Sequence, residues 1–392
     1  MPLTLSAGST ADQPAHPHNP PQRLRTLSRQ EHLDFIQRLP SASFLQCPSW
    51  GDVKVGWTAE SLGWEDSEGN LVGSALVLYR QAPKVKRYFA YIPEGPVINW
   101  ADGDLSRWLD PLLAHLREKG VFTVKMGPPL AVRRWEAETL KRAIAAGRAK
   151  TLREVPADHI NDIALRVAEQ LRAAGWLHAS EGESGTGDVQ PRYVFQLPLA
   201  GRSLEDVWKG FNQQWRRNIK KAEKCGVEVV EGGYDDLPIF FELLEITQQR
   251  DGFNLGRTLK YYQRQYEALR AEDPERMKLY LAKHGGEVLA AATMLKVGNH
   301  IWFQSGGSAN HKREVRPSNG LQWRMIQDAH AQGAAVYDMR GVGETLDPEV
   351  RKFGLLQFKL GTGGQTVEYL GEWDFPLNKL LHKAFDFYMS HR

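Results

Sequence analysis

The chain has 392 residues, 42% of them apolar and 25% charged, with a formal net charge of only +3. That length suits two ordinary domains, and the small net charge excludes a globally basic protein, so a polyanionic partner would have to meet a local patch. No run approaches the roughly 18–20 apolar residues of a membrane span, and no continuous apolar core marks a secretory signal, so a soluble cytoplasmic protein is expected.

Residues 1–27 are rich in Pro, His, Ser and Thr without hydrophobic periodicity and are expected to form a disordered tail. A short helix at 29–39 follows, then strands at 71–79 and 87–92 that make a hairpin. A helix at 105–119, a strand at 122–126 and helices at 135–146 and 160–174 lead to a Gly-rich loop at 181–189 and a strand at 192–197. The second half repeats the theme with a helix at 204–224, a strand at 227–230 and helices at 237–250 and 259–271. A meander at 277–283, 287–297 and 300–305 precedes a helix at 320–332 and a strand at 335–339. This order predicts an α+β chain of two related domains with mixed sheets, 28–197 and 198–374, with a final helix within 375–392 returning to the first.

The segment FNQQWRRNIKKAEKCGV, 211–227, is the most charged of the chain. At 100° per residue Val207, Phe211, Trp215, Ile219 and Ala222 form one apolar stripe, and Lys209, Arg216, Arg217, Lys220, Lys221 and Lys224 lie opposite. A solvated helix face explains cations in general, but such faces usually mix signs, and Glu223 is almost the lone acid here. The signatures H-E-x-x-H, G-x-S-x-G and G-x-x-x-x-G-K-[ST] are absent. Cys47 and Cys225 lie too far apart in sequence for metal-ligand spacing, so both are read as packing residues and no metal or cofactor is expected. GTGG at 361–364 reads as a turn between strands, and Lys359 on its own as a strand-end surface lysine.

Several blocks together carry a family resemblance. W-R-R-N-I-K-K-A-E-K-C-G-V (215–227), Q-P-R-Y-V-F (190–195), W-G-D-V-K (50–54), Y-I-P-E-G-P-V (91–97), Q-R-D-G-F-N-L-G-R-T-L-K-Y-Y (249–262) and Q-F-K-L-G-T-G-G (357–364) resemble the Fem family of aminoacyl-tRNA-dependent peptidyltransferases. The resemblance spans about 44–374. It implies two domains resembling GCN5-type acetyltransferases, here without the long helical arm of some members. It also implies transfer of Gly, Ala or Ser from aminoacyl-tRNA to the stem-peptide amine of a peptidoglycan precursor, lipid II or UDP-MurNAc-pentapeptide. Peripheral contact with the inner membrane face would follow from a lipid-linked acceptor.

By the same resemblance Lys54, Arg257 and Tyr261 hold the acceptor's phosphates, and Lys359 with its neighbour Phe358 stabilises charge at the attacked carbonyl. An ester donor is already activated, so the chemistry needs alignment and oxyanion stabilisation rather than a metal. The tRNA is expected on Arg216, Arg217, Lys220, Lys221 and Lys224. Asn99 stands where many relatives carry an aspartate considered as general base; Asp102 or Asp104 offers a substitute, and the base stays unassigned. Rival readings are a coenzyme-A-dependent N-acyltransferase, a tRNA-dependent aminoacyltransferase acting on lipid or protein, and a non-catalytic RNA-binding protein. The first requires a Q/R-x-x-G-x-G/A turn, and Arg316 and Gly320 have the wrong spacing for it.

Overall fold

A computed structural model of the chain describes residues 20–83, 85–179, 188–351 and 353–390. The first sheet begins with β1 (Arg23–Thr26), β2 (Thr58–Glu65), β3 (Leu71–Gln81), β4 (Tyr88–Ile92) and β5 (Val121–Met126). Residues 72–79 of β3 are all buried, as expected for a central strand covered on both faces. The chain then starts the second sheet with β6 (Ala131–Glu136) and β7 (His159–Ile160), touches back with β8 (Leu177–His178) and leaves again with β9 (Tyr193–Pro198). β10 (Glu228–Gly232), β11 (Met277–His284), β12 (Glu287–Val297), β13 (His300–Ser308) and β14 (Val336–Gly341) extend the second sheet. Finally β15 (Gln365–Tyr369) inserts between β9 and β6, and β16 (Trp373–Pro376) between β5 and β8.

The spatial orders are β1-β2-β3-β4-β5-β16-β8 and β10-β11-β12-β13-β14-β9-β15-β6-β7. Each sheet is mixed in the same way. One parallel pair, β4 with β5 and β13 with β14, sits among antiparallel neighbours. A helix links each parallel pair, Ser106–Glu118 in the first and Pro317–Ala331 in the second. The first of these buries Trp108, Leu109, Leu112, Leu113 and Leu116, a single face at helical spacing.

Sheet membership interleaves along the chain, because β6, β7 and all but the last residue of β9 precede residue 198 yet pair in the second sheet. A division at 197 therefore does not follow the sheets. The last helix, Lys379–Ser390, does return to the first sheet, where Phe385 contacts Phe89 and Phe122 at ring distances of 5.1 and 5.5 Å. Within the described residues no helix exceeds 15 residues, so none forms a long arm, and none is long and apolar enough to cross a membrane. A shared apolar cluster joins the sheets: Phe44, Trp50, Leu76, Leu78 and Tyr91 pack with Leu269, Met277, Leu295 and Trp302.

Three local expectations need correction. The expected tail runs too far, since Arg23–Thr26 pairs with β2 and Arg25 bridges Glu31 and Glu65; residues 1–19 and most of the Gly-rich loop lie outside the described residues. The helix expected over 204–224 is two helices, Leu204–Gly210 and Gln213–Lys224, broken at Phe211, whose ψ of 140° is extended. Asn212 restarts the second by accepting a hydrogen bond from Trp215 N at 2.8 Å, so Lys209 belongs to the other helix, where it pairs with Glu205. Lys359 ends the helix Phe353–Leu360 rather than a strand, and Gly361–Gly364 turns from that helix into β15.

Candidate active site

Lys54, Arg257 and Tyr261 come from separate helical segments that pack together. The short helix Ser49–Val53 sits on the helix Leu259–Glu272, and Glu272 caps it, accepting from Ser49 N and Ser49 Oγ, both at 2.8 Å. Lys54 is the C-cap of the short helix and lies over the Trp50 ring, with Nζ 5.4 Å from the centroid. Arg257 precedes the second helix and lies over the Tyr261 ring at 4.8 Å. Burial, with Arg257 as a second and like charge, pulls the Lys54 ammonium down to about 8. Burial also pushes the Tyr261 hydroxyl up to about 12 against the pull of Arg257. That hydroxyl is buried without a hydrogen-bond partner among the described residues. Two cations without an ion-pair partner among the described residues, beside an unused hydroxyl donor, make a site suited to a multiply charged anion.

Three ring contacts lead from this cluster to a cavity of about 320 Å³. Trp50 meets Phe44 at 5.4 Å, Phe44 meets Trp302 at 5.2 Å, and the Arg340 guanidinium lies 5.6 Å from the Phe44 centroid. Trp302 and Arg340 both line the cavity, together with Glu94, Gln190, Asp338 and Glu372. The cavity lies where the loops after β4 and β5 face the starts of β13 and β14.

Arg340 is the pivot of that wall. Its φ of +61° is a left-handed conformation uncommon for an arginine, and its side chain pairs with Glu94 at 3.0 Å and Gln190 at 3.3 Å. Glu94 is left-handed as well, with φ +45°. Asp338 is buried, and although burial acts to raise its carboxyl, His300, Arg340 and Gln196 hold it below the ordinary carboxylate range. Glu372 goes the other way. Burial pushes it up to about 7, against hydrogen bonds accepted from Tyr91 Oη at 2.6 Å and Val189 N at 2.7 Å.

Lys359 lies behind Arg340. Only 4% exposed, it donates to the carbonyls of Met339, Arg340 and Gly341 at 2.7, 3.1 and 2.8 Å. All three N–H bonds of the ammonium are thus engaged, and they brace the bend at Arg340. Burial, aided by Arg340 and opposed by Asp338, pulls its pKa down to about 7. The surface lysine expected from sequence alone is a buried one. The Phe358 ring packs at a tilt against Trp215, with centroids 4.7 Å apart, and its carbonyl accepts from Trp215 Nε1 at 2.7 Å.

The basic helix is fastened to the same segment, with Asn212 N donating to Gly361 O at 2.8 Å. Trp215, Ile219 and Ala222 are buried, and Arg216, Arg217, Lys220, Lys221 and Lys224 have no ion-pair partner among the described residues. The structure therefore brings Lys54, Arg257 and Tyr261 together, and groups Lys359 and Phe358 with the basic helix. The two groups meet through the aromatic contacts and Arg340.

The FemAB family model matches residues 27–284 and 271–389, nearly all of the chain. The chain belongs to the FemAB family. It is 22% identical to a lipid II:glycine glycyltransferase of Staphylococcus haemolyticus (strain JCSC1435) and 23% identical to one of Staphylococcus aureus (strain USA300). Both alignments cover 92% of this chain and 94% of the relative. A crystal structure of FemX superposes with a TM-score of 0.76 at 20% identity, covering 93% of this chain and all of that one.

Within this FemAB chain, sequence reasoning missed Arg340, Asp338 and Glu372 as cavity residues. Glu94 lay within a quoted motif, Y-I-P-E-G-P-V, but its pairing with a residue 246 positions away has no local signal. Asp102 and Asp104 are engaged locally, by Trp108 Nε1 and by Ser106, and neither lines the cavity. Gly320 sits inside the helix Pro317–Ala331 facing Ala222, a packing position rather than a pyrophosphate turn.

Proposed function

We propose that this chain transfers an aminoacyl group from aminoacyl-tRNA to the stem-peptide amine of a lipid-linked peptidoglycan precursor, extending an interpeptide bridge. The carrying observation is the convergence of Lys54, Arg257 and the Tyr261 hydroxyl, unpartnered among the described residues, in a chain that aligns along almost its full length with lipid II:glycine glycyltransferases. The cation pair receives the acceptor's diphosphate, and the stem peptide is read as reaching the cavity.

The amine attacks the ester carbonyl, a C–N bond forms, and the ester C–O bond to the tRNA ribose breaks. The ribose oxygen leaves with a proton. An acceptor that starts as an ammonium releases one further proton, so the reaction favours pH values at which the amine is partly neutral. Arg340 is one of the arginines lining the cavity, and Lys359 positions it. For Lys359 to reach the developing oxyanion itself, one of its three carbonyl bonds must be given up.

The tRNA lies along Arg216, Arg217, Lys220, Lys221 and Lys224. The anchoring of Trp215 and Asn212 on residues 358 and 361 would bring its charged end to the segment carrying Lys359. Purified protein supplied in turn with labelled glycyl-, alanyl- and seryl-tRNA and lipid-linked precursor tests the reading. Label in the lipid fraction supports it, and no label from any of the three tRNAs contradicts it.

A further inference from the structure

Both cations of the diphosphate cluster are flanked by exposed apolar side chains. Val55, next to Lys54, is 68% exposed; Phe253, at 42%, and the exposed Leu255 lead into Arg257. Their loop has an ordered backbone: Gly252 ends the helix Leu237–Asp251 with φ +61°, Phe253 N donates to Gln248 O at 3.1 Å, and Leu255 N donates to Gln248 Oε1 at 2.7 Å. The Arg351 guanidinium lies against Gly252, its neighbour Val350 is exposed, and Leu355 is an exposed residue of the helix Phe353–Leu360. Arg351 makes no ion pair among the described residues.

Isolated exposed apolar residues are ordinary. An apolar rim around a pair of half-buried cations with no ion-pair partner among the described residues is not, because water should fill such a rim and weaken the cations' hold on an anion. The rim makes sense against a surface that is apolar inside and anionic at its edge. A phospholipid bilayer has that profile, and the diphosphate of a lipid-linked acceptor lies at its headgroup level. A protein partner would leave unexplained why the patch surrounds the diphosphate cations.

We propose that Val55, Phe253, Leu255, Val350 and Leu355 dock this chain on an anionic bilayer, with Arg351 on the lipid phosphates and the acceptor's diphosphate entering the Lys54–Arg257 pair from the membrane plane. The proposal rests on the lipid-linked reading of the acceptor. Its test compares the wild type with Phe253→Ser/Leu255→Ser in co-sedimentation with phosphatidylglycerol-containing vesicles and with pure phosphatidylcholine vesicles. The wild type is expected to bind the anionic vesicles, less at high salt. The variant's partition coefficient is expected to fall at least about tenfold at an unchanged thermal midpoint.

In transfer assays the variant should keep its rate on a water-soluble nucleotide-linked precursor and lose it on acceptor embedded in vesicles. Equal vesicle binding by variant and wild type, no vesicle binding by the wild type, or equal loss on both acceptors overturns the proposal. So does a dimer of the chain that the variant dissolves. Sedimentation needs no catalysis, so vesicle binding that depends on Phe253 and Leu255 supports docking even if the transfer reading fails.

Discussion

Replacing Arg257 by Met removes one of the two cations assigned to the diphosphate and changes the other. A charge-assisted hydrogen bond to phosphate contributes roughly 1.5–3 kcal/mol, so acceptor affinity should fall about ten- to hundredfold. The pH dependence should change as well. Lys54 titrates at about 8 because of burial first and Arg257 second, so losing Arg257 moves that titration upward, though burial keeps it below the ordinary 10.5.

Only protonated Lys54 attracts phosphate. Wild-type affinity should therefore be flat below about pH 8 and decline above it by up to about tenfold per pH unit, while the Met variant binds more weakly throughout but begins its decline at higher pH. Isothermal titration with nucleotide-linked precursor across that range measures both effects. Unchanged affinity, or a break at the same pH in the two proteins, would refute the placement of the diphosphate between these residues.

Stability should carry the signature of Lys359. Its folded pKa of about 7 lies below the ordinary 10.5, so between those values the unfolded chain binds the extra proton and stability from this group rises with pH, by about 1.4 kcal/mol per unit, and is flat below 7. Lys359→Met should remove that rise in urea unfolding, and an unaltered pH profile contradicts it. Glu94→Gln deprives Arg340 of a half-buried carboxylate and should cost about 1–3 kcal/mol, read as a lower urea midpoint; an unchanged midpoint argues against the pairing. Arg216→Glu/Lys220→Glu should raise the KM for aminoacyl-tRNA most strongly at low salt and spare acceptor affinity, and salt-independent or absent effects rule out this tRNA surface.

Elements with a strong period were legible in the sequence. The helix Ser106–Glu118 and strands β3, β11 and β12 all declare themselves through their apolar spacing. β2 did not, because T-A-E-S-L-G-W-E is exposed at its first two residues, part-buried at the next two and carries a glycine, so no clean alternation appears. The break at Phe211 was readable in principle from Gly210 followed by Asn212, a cap residue three before Trp215, but the continuous apolar stripe masked it. β16 takes its place from a partner some 250 residues earlier, which local pattern cannot report.

The same limit governed the cavity. Arg340 follows an apolar strand and reads as its exposed end, and only the bend braced by Lys359 turns it inward toward Glu94. Neither Lys54 nor Arg257 is distinguishable from a surface cation by spacing alone; only the family resemblance of W-G-D-V-K and Q-R-D-G-F-N-L-G-R-T-L-K-Y-Y marks them.

The most direct measurement is a crystal structure of the protein with a nucleotide-linked precursor bound. The account predicts the diphosphate between Lys54 and Arg257 within reach of the Tyr261 hydroxyl, and the stem peptide in the cavity at Glu94 and Arg340. A precursor seated away from Lys54 and Arg257, or a peptide directed away from that cavity, would contradict it.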